Sequence, residues 1–312
     1  MSVAAEPLAQ SVGAPQPRRA ASLWRDTLRN VLHQRSAIVG LSILGFLALT
    51  AVFAQQISPY DPNQQFDAEH FAQRAGPCIY ALGCSTDHTQ HFFGIDGNYR
   101  DVFTRVVYGA RISLVIGFEI IGFAIIVGSL FGSIAGFAGG RLDTLIMRIM
   151  DVFLVFPALL LAIAIVTVLG PGLLNAQLAI GLVAIPIYAR IMRASVLSVR
   201  ESDFVTASRA LGESPIGILV RRVLPNSLTP IIVAGTLGIG GAVLDVAALS
   251  FLGLGADIRT PEWGSMIGLE RSNVFSAPQM LFFPGLMLTL TVLGFNLLGD
   301  GVRDALDPRL NR

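Results

Sequence analysis

The sequence predicts an all-α membrane protein with six transmembrane helices. Three observations lead there. Apolar side chains make up 53% of the 312 residues and charged ones only 14%, against about 25% charge in a typical soluble domain. Mean hydropathy is +0.64. The apolar residues are gathered into six runs that reach, or nearly reach, the roughly 20 residues a bilayer requires. This composition excludes a disordered chain, a coiled coil, a disulfide-dense mini-protein and an ordinary cytosolic enzyme. No soluble domain of normal size fits beside the spans.

The chain opens on a polar stretch. Residues 1–22, rich in Ala, Pro, Gln and Ser, read as a disordered tail, and 24–35 alternate apolar and basic groups as in a short amphipathic helix on a membrane surface. Arg18-Arg19 does not make a twin-arginine signal, because Arg25, Asp26 and Arg29 precede the first apolar run. Residues 1–35 are therefore set apart as tail and surface helix, and 36–312 as the membrane domain. Span one, 37–55, is longer than a signal-peptide core and reads as an uncleaved anchor. Span two is 112–138, with Glu119 its one charge. Spans three (152–169) and four (173–189) form a hairpin about the turn Pro171-Gly172. Span five, 228–256, carries Asp245 alone, and span six, 274–298, carries no charge. Six crossings put both termini on one side. That side holds 16 of the 22 arginines, so it is expected to be cytoplasmic.

Residues 56–111 then form an external loop containing both cysteines. A Cys78–Cys84 disulfide is expected in that oxidising compartment, contributing about 2–3 kcal/mol for so short a loop; two free thiols are the alternative. His70, His88 and His91 share the loop but lack a compact metal-ligand spacing. Val102, Phe103, Val106 and Val107 share one helical face with Arg105 opposite, which predicts a surface helix leading into span two.

Within the spans, Gly128, Gly132 and Gly136 recur every four residues, the spacing that lets helices approach closely. Asp143, Arg148 and Asp151 sit at the cytoplasmic edge as candidates for structural ion pairs. Glu119 and Asp245 lie in apolar runs, where an ionisable group is expensive. Either they line a passage and meet a cationic substrate group, or they make interhelical hydrogen bonds. The second reading is the more economical, and Asp245 is the better passage candidate.

The cytoplasmic segment 200–226 is the most informative. Asp203 is placed to cap a helix running to Leu211, and Gly212 to end it in a left-handed conformation. Ser214-Pro215 starts a second helix, and Pro225 is expected to end that one before span five. Two short helices thus project around a glycine corner, with Phe204, Ala207 and Leu211 on one face. A surface connector with lipid-facing arginines is the plainer alternative.

This segment resembles the coupling loop of bacterial ABC importer permeases. That loop has Glu-Ala-Ala, then Gly after three residues, then a Leu-Pro pair. Here Thr206-Ala207-Ser208, Gly212 and Leu224-Pro225 keep the spacing. Thr206 replaces the glutamate, Ser208 the second alanine, and Arg222 stands at a usually apolar position. Four further stretches, in order, resemble the C-type permease of the dipeptide/oligopeptide/nickel branch. They are Gly94 to Leu114 with Tyr99-Arg100-Asp101; Gly136 to Asp151; Leu249 to Gly255 with Pro261-Glu262-Trp263-Gly264; and the tail Phe295 to Pro308.

The resemblance implies a type I ABC importer permease fold in the bacterial cytoplasmic membrane. It implies a subunit without catalytic residues or metal, paired with a second homologous permease as a heterodimer. Two ATPase subunits would bind ATP and magnesium, and an extracytoplasmic binding protein would deliver the solute. It places Phe204, Thr206, Ala207, Ala210, Leu211 and Gly212 in an ATPase groove, with Arg209 reaching a carboxylate there. It implies di- or oligopeptides as cargo, with nickel chelates, glutathione or another small solute as alternatives.

Other classes fare worse. All 22 basic residues are arginine, so the chain has no phosphate-loop lysine and no Schiff base. A net charge of +1 offers nucleic acid no global attraction. An intramembrane protease would need a histidine within a span or an HExxH motif, and neither occurs. A self-contained secondary transporter could use Glu119 and Asp245, but leaves the two-helix loop without a task.

Overall fold

A computed structural model describes residues 31–67, 72–85 and 89–306. The expected tail and most of the amphipathic helix lie outside the described residues, as do His70 and His88. Five helices among the described residues are long and apolar enough to cross a membrane, and there are six if one bent helix pair counts as a single span. Among the described residues there is no strand, only two isolated bridges.

The first helix, α1 (Arg35–Val52), is followed by the short α2 (Ala54–Ile57). The spanning helix α3 (Val102–Ala138) has 37 residues, so the surface helix expected before span two is its first three turns. Asp101 starts it by accepting a hydrogen bond from the Thr104 amide, 2.7 Å, and Gly139, at φ +66°, ends it. Span three is not one helix. It divides into α4 (Gly140–Val155) and α5 (Ala158–Leu169), bent by 92°. Pro157 is the cause: the residue before a proline is pushed out of the helical region, and Phe156 is extended at φ −88°, ψ 141°.

Gly170 and Gly172 turn the chain into α6 (Leu173–Arg200), which continues eleven residues past the expected end of span four. The short helices α7 (Asp203–Ala210), α8 (Pro215–Ile218) and α9 (Leu224–Ser227) follow. Then come α10 (Thr229–Phe251), α11 (Trp263–Glu270) and α12 (Gln279–Leu306).

Helices α3 and α6 form the most extensive pair. A Cβ on Gly128 would lie 2.8 Å from the Ile185 carbonyl oxygen, and one on Gly136 would lie 2.9 Å from that of Arg193. Gly132 sits against the Ala189 carbonyl in the same way. The three glycines therefore serve packing within the chain. The main core gathers α3, α5, α6 and α10, including Ile120, Val166, Met192 and Val246.

A second core lies at the disulfide end, around Trp263, Val102, Val106 and Met280. Cys78 and Cys84 are joined, with Cα atoms 5.4 Å apart. Cys78 and His91 exchange backbone hydrogen bonds, both 2.9 Å. The His91 ring lies 2.8 Å from Asp101 and 2.9 Å from the Thr89 hydroxyl. Trp263 donates its indole N–H to the Val106 carbonyl, 2.9 Å, and Gly109 leaves room for its ring.

Arg105 departs from expectation. It does not face water but is 1% exposed, donating to the carbonyls of Pro62 at 3.0 Å and Ile258 at 3.1 Å. A guanidinium has five donors in a fixed fork. The turn at 257–260 crosses above it and presents carbonyls that helix or sheet does not satisfy.

Candidate functional site

The segment between α6 and α10 forms a lever at the arginine-rich end. Its root is firmly held. Arg200 donates to the Gly136 carbonyl, 2.7 Å, tying the end of α6 to the end of α3. Val205, Ile218 and Val223 are buried at 0–2% exposure and belong to the main core. The Ser195 hydroxyl donates to the Ser227 carbonyl, 3.0 Å.

Its tip is open. Phe204, Thr206, Ala207, Arg209, Ala210, Leu211 and Gly212 are all exposed. Leu211 is 88% exposed, and Ile216, which the sequence reading did not single out, is 76%. The apolar face at the corner is therefore drawn from both short helices. Counting from Leu211 across the corner to the second residue of α8 would have found Ile216.

The corner is built as expected. Gly212 takes φ +81°, its amide bonds the Arg209 carbonyl, and the Glu213 amide bonds that of Ser208. The Ser214 hydroxyl caps α8 by accepting from the Gly217 amide, 3.2 Å, with Pro215 in the first turn. Two expectations need correction. Ser202, not Asp203, takes the N-cap position, and Asp203 begins the helix. Its charge still favours the N-terminal end of the helix dipole. Pro225 does not end the second helix. A wide turn over Leu219–Val223 leads directly into α9, with Leu224 bonding back five residues to Leu219. Such a bulge accommodates a proline that lacks the amide for an ordinary turn. Arg222 pairs with Glu213 across the corner at 3.1 Å, which gives this unusual position a local partner.

The membrane charges separate. Glu119 accepts from the Gln177 side chain at 3.3 Å, an interhelical contact between α3 and α6. Asp245 on α10 has no hydrogen bond or ion pair among the described residues. It borders a groove between α5, α6 and α10. An unpaired carboxylate at the centre of a membrane helix costs about 2.5–3.5 kcal/mol on insertion scales. Asp143 and Arg193 form a two-pronged pair, 2.6 Å at its second contact, and Arg190 meets Asp151 at 2.8 Å. Arg148 is exposed and takes part in neither.

At the disulfide end, Glu262 caps α11 by accepting from the Gly264 and Ser265 amides, 2.7 and 2.8 Å. Burial pushes its carboxyl up from the usual range, against those two amides. Asp257 moves the other way, because the Thr260 hydroxyl and amide bond its ionised form. Glu270 takes Arg74 at 2.6 Å and the Gly97 amide at 2.9 Å, so α11 also anchors the long loop.

Comparison with known proteins decides the family. Residues 128–312 match the family model described as the binding-protein-dependent transport system inner membrane component. Residues 22–77 match that of the N-terminal transmembrane domain of oligopeptide transport permease C. The chain belongs to this permease family.

Among curated members, the dipeptide transport system permease protein DppC of Alkalihalophilus pseudofirmus is 46% identical over 93% of this chain and 91% of its own length. The di/tripeptide transport system permease protein DppC of Pseudomonas aeruginosa is 43% identical over 89% of both. The glutathione transport system permease protein GsiD of Escherichia coli is 40% identical over 95% of this chain and 93% of its own length. A solved inward-facing MetNI methionine ABC transporter shares the fold, with a TM-score of 0.54 and 20% identity over 66% of this chain and 98% of that one. The permease is thus a multi-pass inner-membrane subunit of an ABC importer.

Proposed function

We propose that this permease forms half of a passage for short peptides, and that ATP hydrolysis on separate subunits drives it through the 200–226 lever. The observation that carries the reading is the lever itself. Its root is buried in the main core while Phe204, Leu211 and Ile216 stand exposed at the tip. An apolar tip on a rigid arm suits insertion into a groove of a partner, and Arg209 beside it suits a carboxylate there. The partners are two ATPases that bind ATP and magnesium, a second homologous permease and an extracytoplasmic binding protein.

In this reading 1–35 is a cytoplasmic tail and surface helix, 36–312 is the membrane domain, and both termini are cytoplasmic. The disulfide-bearing loop faces the periplasm. Peptide cargo is supported by the relatives at 46% and 43% identity, whose names specify dipeptides and di/tripeptides. Glutathione, itself a tripeptide, is the second reading, supported by the relative at 40% identity.

The test is gentle extraction of the tagged chain from its native membrane and identification of what co-purifies. Recovery of a second six-span permease with P-loop ATPases supports the proposal. A chain that emerges alone, stable and monodisperse, refutes it.

A further inference from the structure

We propose that Asp245 lines the passage and takes the ammonium end of a peptide in transit. The inference rests on the peptide-importer reading and adds the group that this chain offers to the cargo.

Of the two charges within the apolar runs, only one is engaged. Glu119 is held by Gln177 across α3 and α6. Asp245 has no partner among the described residues, although Asp and Glu within membranes are normally paired or face water. Its surroundings explain what it faces. A groove of about 80 Å³ is walled by Ala158 and Ala162 of α5 and by Val183, Ala184 and Ile187 of α6, with Asp245 its one charged residue. Past Ile187 a second space of about 350 Å³ opens beside Leu154 and Arg190. Both border Ile187, so they adjoin along α6, the furrow at Asp245 being the smaller and the second space lying toward the arginine-rich end. Asp245 lies six residues before the end of α10, roughly 9 Å along the helix, well inside the membrane-crossing segment.

Three alanines, Ala158, Ala162 and Ala184, leave room beside Asp245 in walls that are otherwise leucine, isoleucine and valine. The furrow discriminates little by shape, so its one charge dominates. A carboxylate in low-dielectric surroundings attracts a cation far more strongly than it would in water. The dipeptides and di/tripeptides named for the relatives carry an α-ammonium group, and glutathione carries one on its glutamyl residue. One carboxylate, rather than a cage of several, also suits transit, where a site must hold cargo and then release it.

The experiment uses the complete importer reconstituted in proteoliposomes with its partner permease, ATPases and binding protein, and labelled alanyl-alanine as the probe. Uptake and ATP hydrolysis are measured together for the wild type, Asp245→Asn and Asp245→Glu. The expected result is a roughly ten- to hundredfold fall in peptide moved per ATP hydrolysed for Asp245→Asn, the loss of one charge-assisted hydrogen bond. Asp245→Glu should recover most of it. A merely structural carboxylate would not show that recovery.

Three results overturn the inference. One is Asp245→Asn uptake equal to wild type. Another is equal failure of the Asn and Glu variants, which marks a packing role. The third is loss of the second permease from the purified Asp245→Asn complex, which assigns the carboxylate to that interface. If the wild-type importer moves no peptide at all, the peptide reading itself fails and this inference goes with it.

Discussion

Replacing Gly132 with alanine tests the central helix pair against an internal control. The added Cβ would press on the Ala189 carbonyl and stand 2.9 Å from the Met192 Cβ. The obstructing atoms are backbone and a first side-chain carbon, so neither can swing aside. Relief requires α3 and α6 to separate, and Gly128 and Gly136 hold them together one turn away on each side. Overpacking of this kind costs about 1–3 kcal/mol. Alanine also favours the helix over glycine by about 1 kcal/mol, which masks part of the effect. Gly122 supplies the correction. It lies in the same helix, and a Cβ there meets nothing within 4 Å. The difference between Gly132→Ala and Gly122→Ala cancels propensity and leaves the steric term alone. Apparent melting temperatures of the two purified variants, at one scan rate, should differ by several degrees with Gly132→Ala the lower. Equal melting temperatures would refute the argument that these glycines exist for close approach.

Other perturbations address the remaining parts. Gly212→Val forces a β-branched residue to φ +81°, a conformation that costs an L-residue roughly 1–2 kcal/mol. Insertion should be normal while uptake per ATP falls, and unchanged uptake would argue against the coupling role. Cys78→Ser should lower the stability of the long loop by about 2–3 kcal/mol, read as faster proteolysis between 72 and 91, with the α3–α6 pair unaffected. Asp257 has a lowered carboxyl because Thr260 bonds its ionised form. Its contribution is therefore present above the ordinary carboxylate range and lost as pH falls through the lowered value. Protection of the Thr260 amide, taken relative to its intrinsic exchange rate at each pH, should fall on acidification, whereas in Asp257→Asn it should be low at every pH.

How far each feature was legible follows from how local its cause is. The crossings were legible because a bilayer demands about 20 apolar residues in succession, and that demand leaves its mark within each run. The break in span three was legible too, in Pro157, but the uninterrupted apolar composition of 152–169 concealed it. Composition records what a segment faces and says nothing of its direction. The lever was read through its punctuation. Gly212, Ser214 and Pro215 each have a backbone reason to stand where they do, and each performs it. Pro225 was misjudged because a proline within a helix has two outcomes, termination or a widened turn. The packing of Val223 into the core chose the second.

Arg105 and the two membrane carboxylates mark the opposite limit. The Ile258 carbonyl that receives Arg105 is 153 positions away, and Gln177 lies 58 positions from Glu119. No window along the chain contains both halves of either contact. Spacing could show that Arg105 opposed an apolar face, but only the folded chain brings the 257–260 turn across it.

Connection between lever and furrow is a matter of one helix. From Ile185 to Val196, α6 is clamped to α3 by the three glycine contacts, and Arg200 fastens its end to Gly136. A force on the proposed docking tip therefore cannot bend the lever alone; it must move the ends of α3 and α6 together. At the outer end of that clamp, next to Ile185, stands Pro186, buried within α6, where the missing amide removes the bond to the Leu182 carbonyl and weakens the helix at one level. Ile180, Val183 and Ala184, which wall the furrow opposite Asp245, lie just beyond it. Displacement that is rigid below Pro186 and yielding at it would change the width of the furrow beside Asp245 before it changed anything farther along the helix.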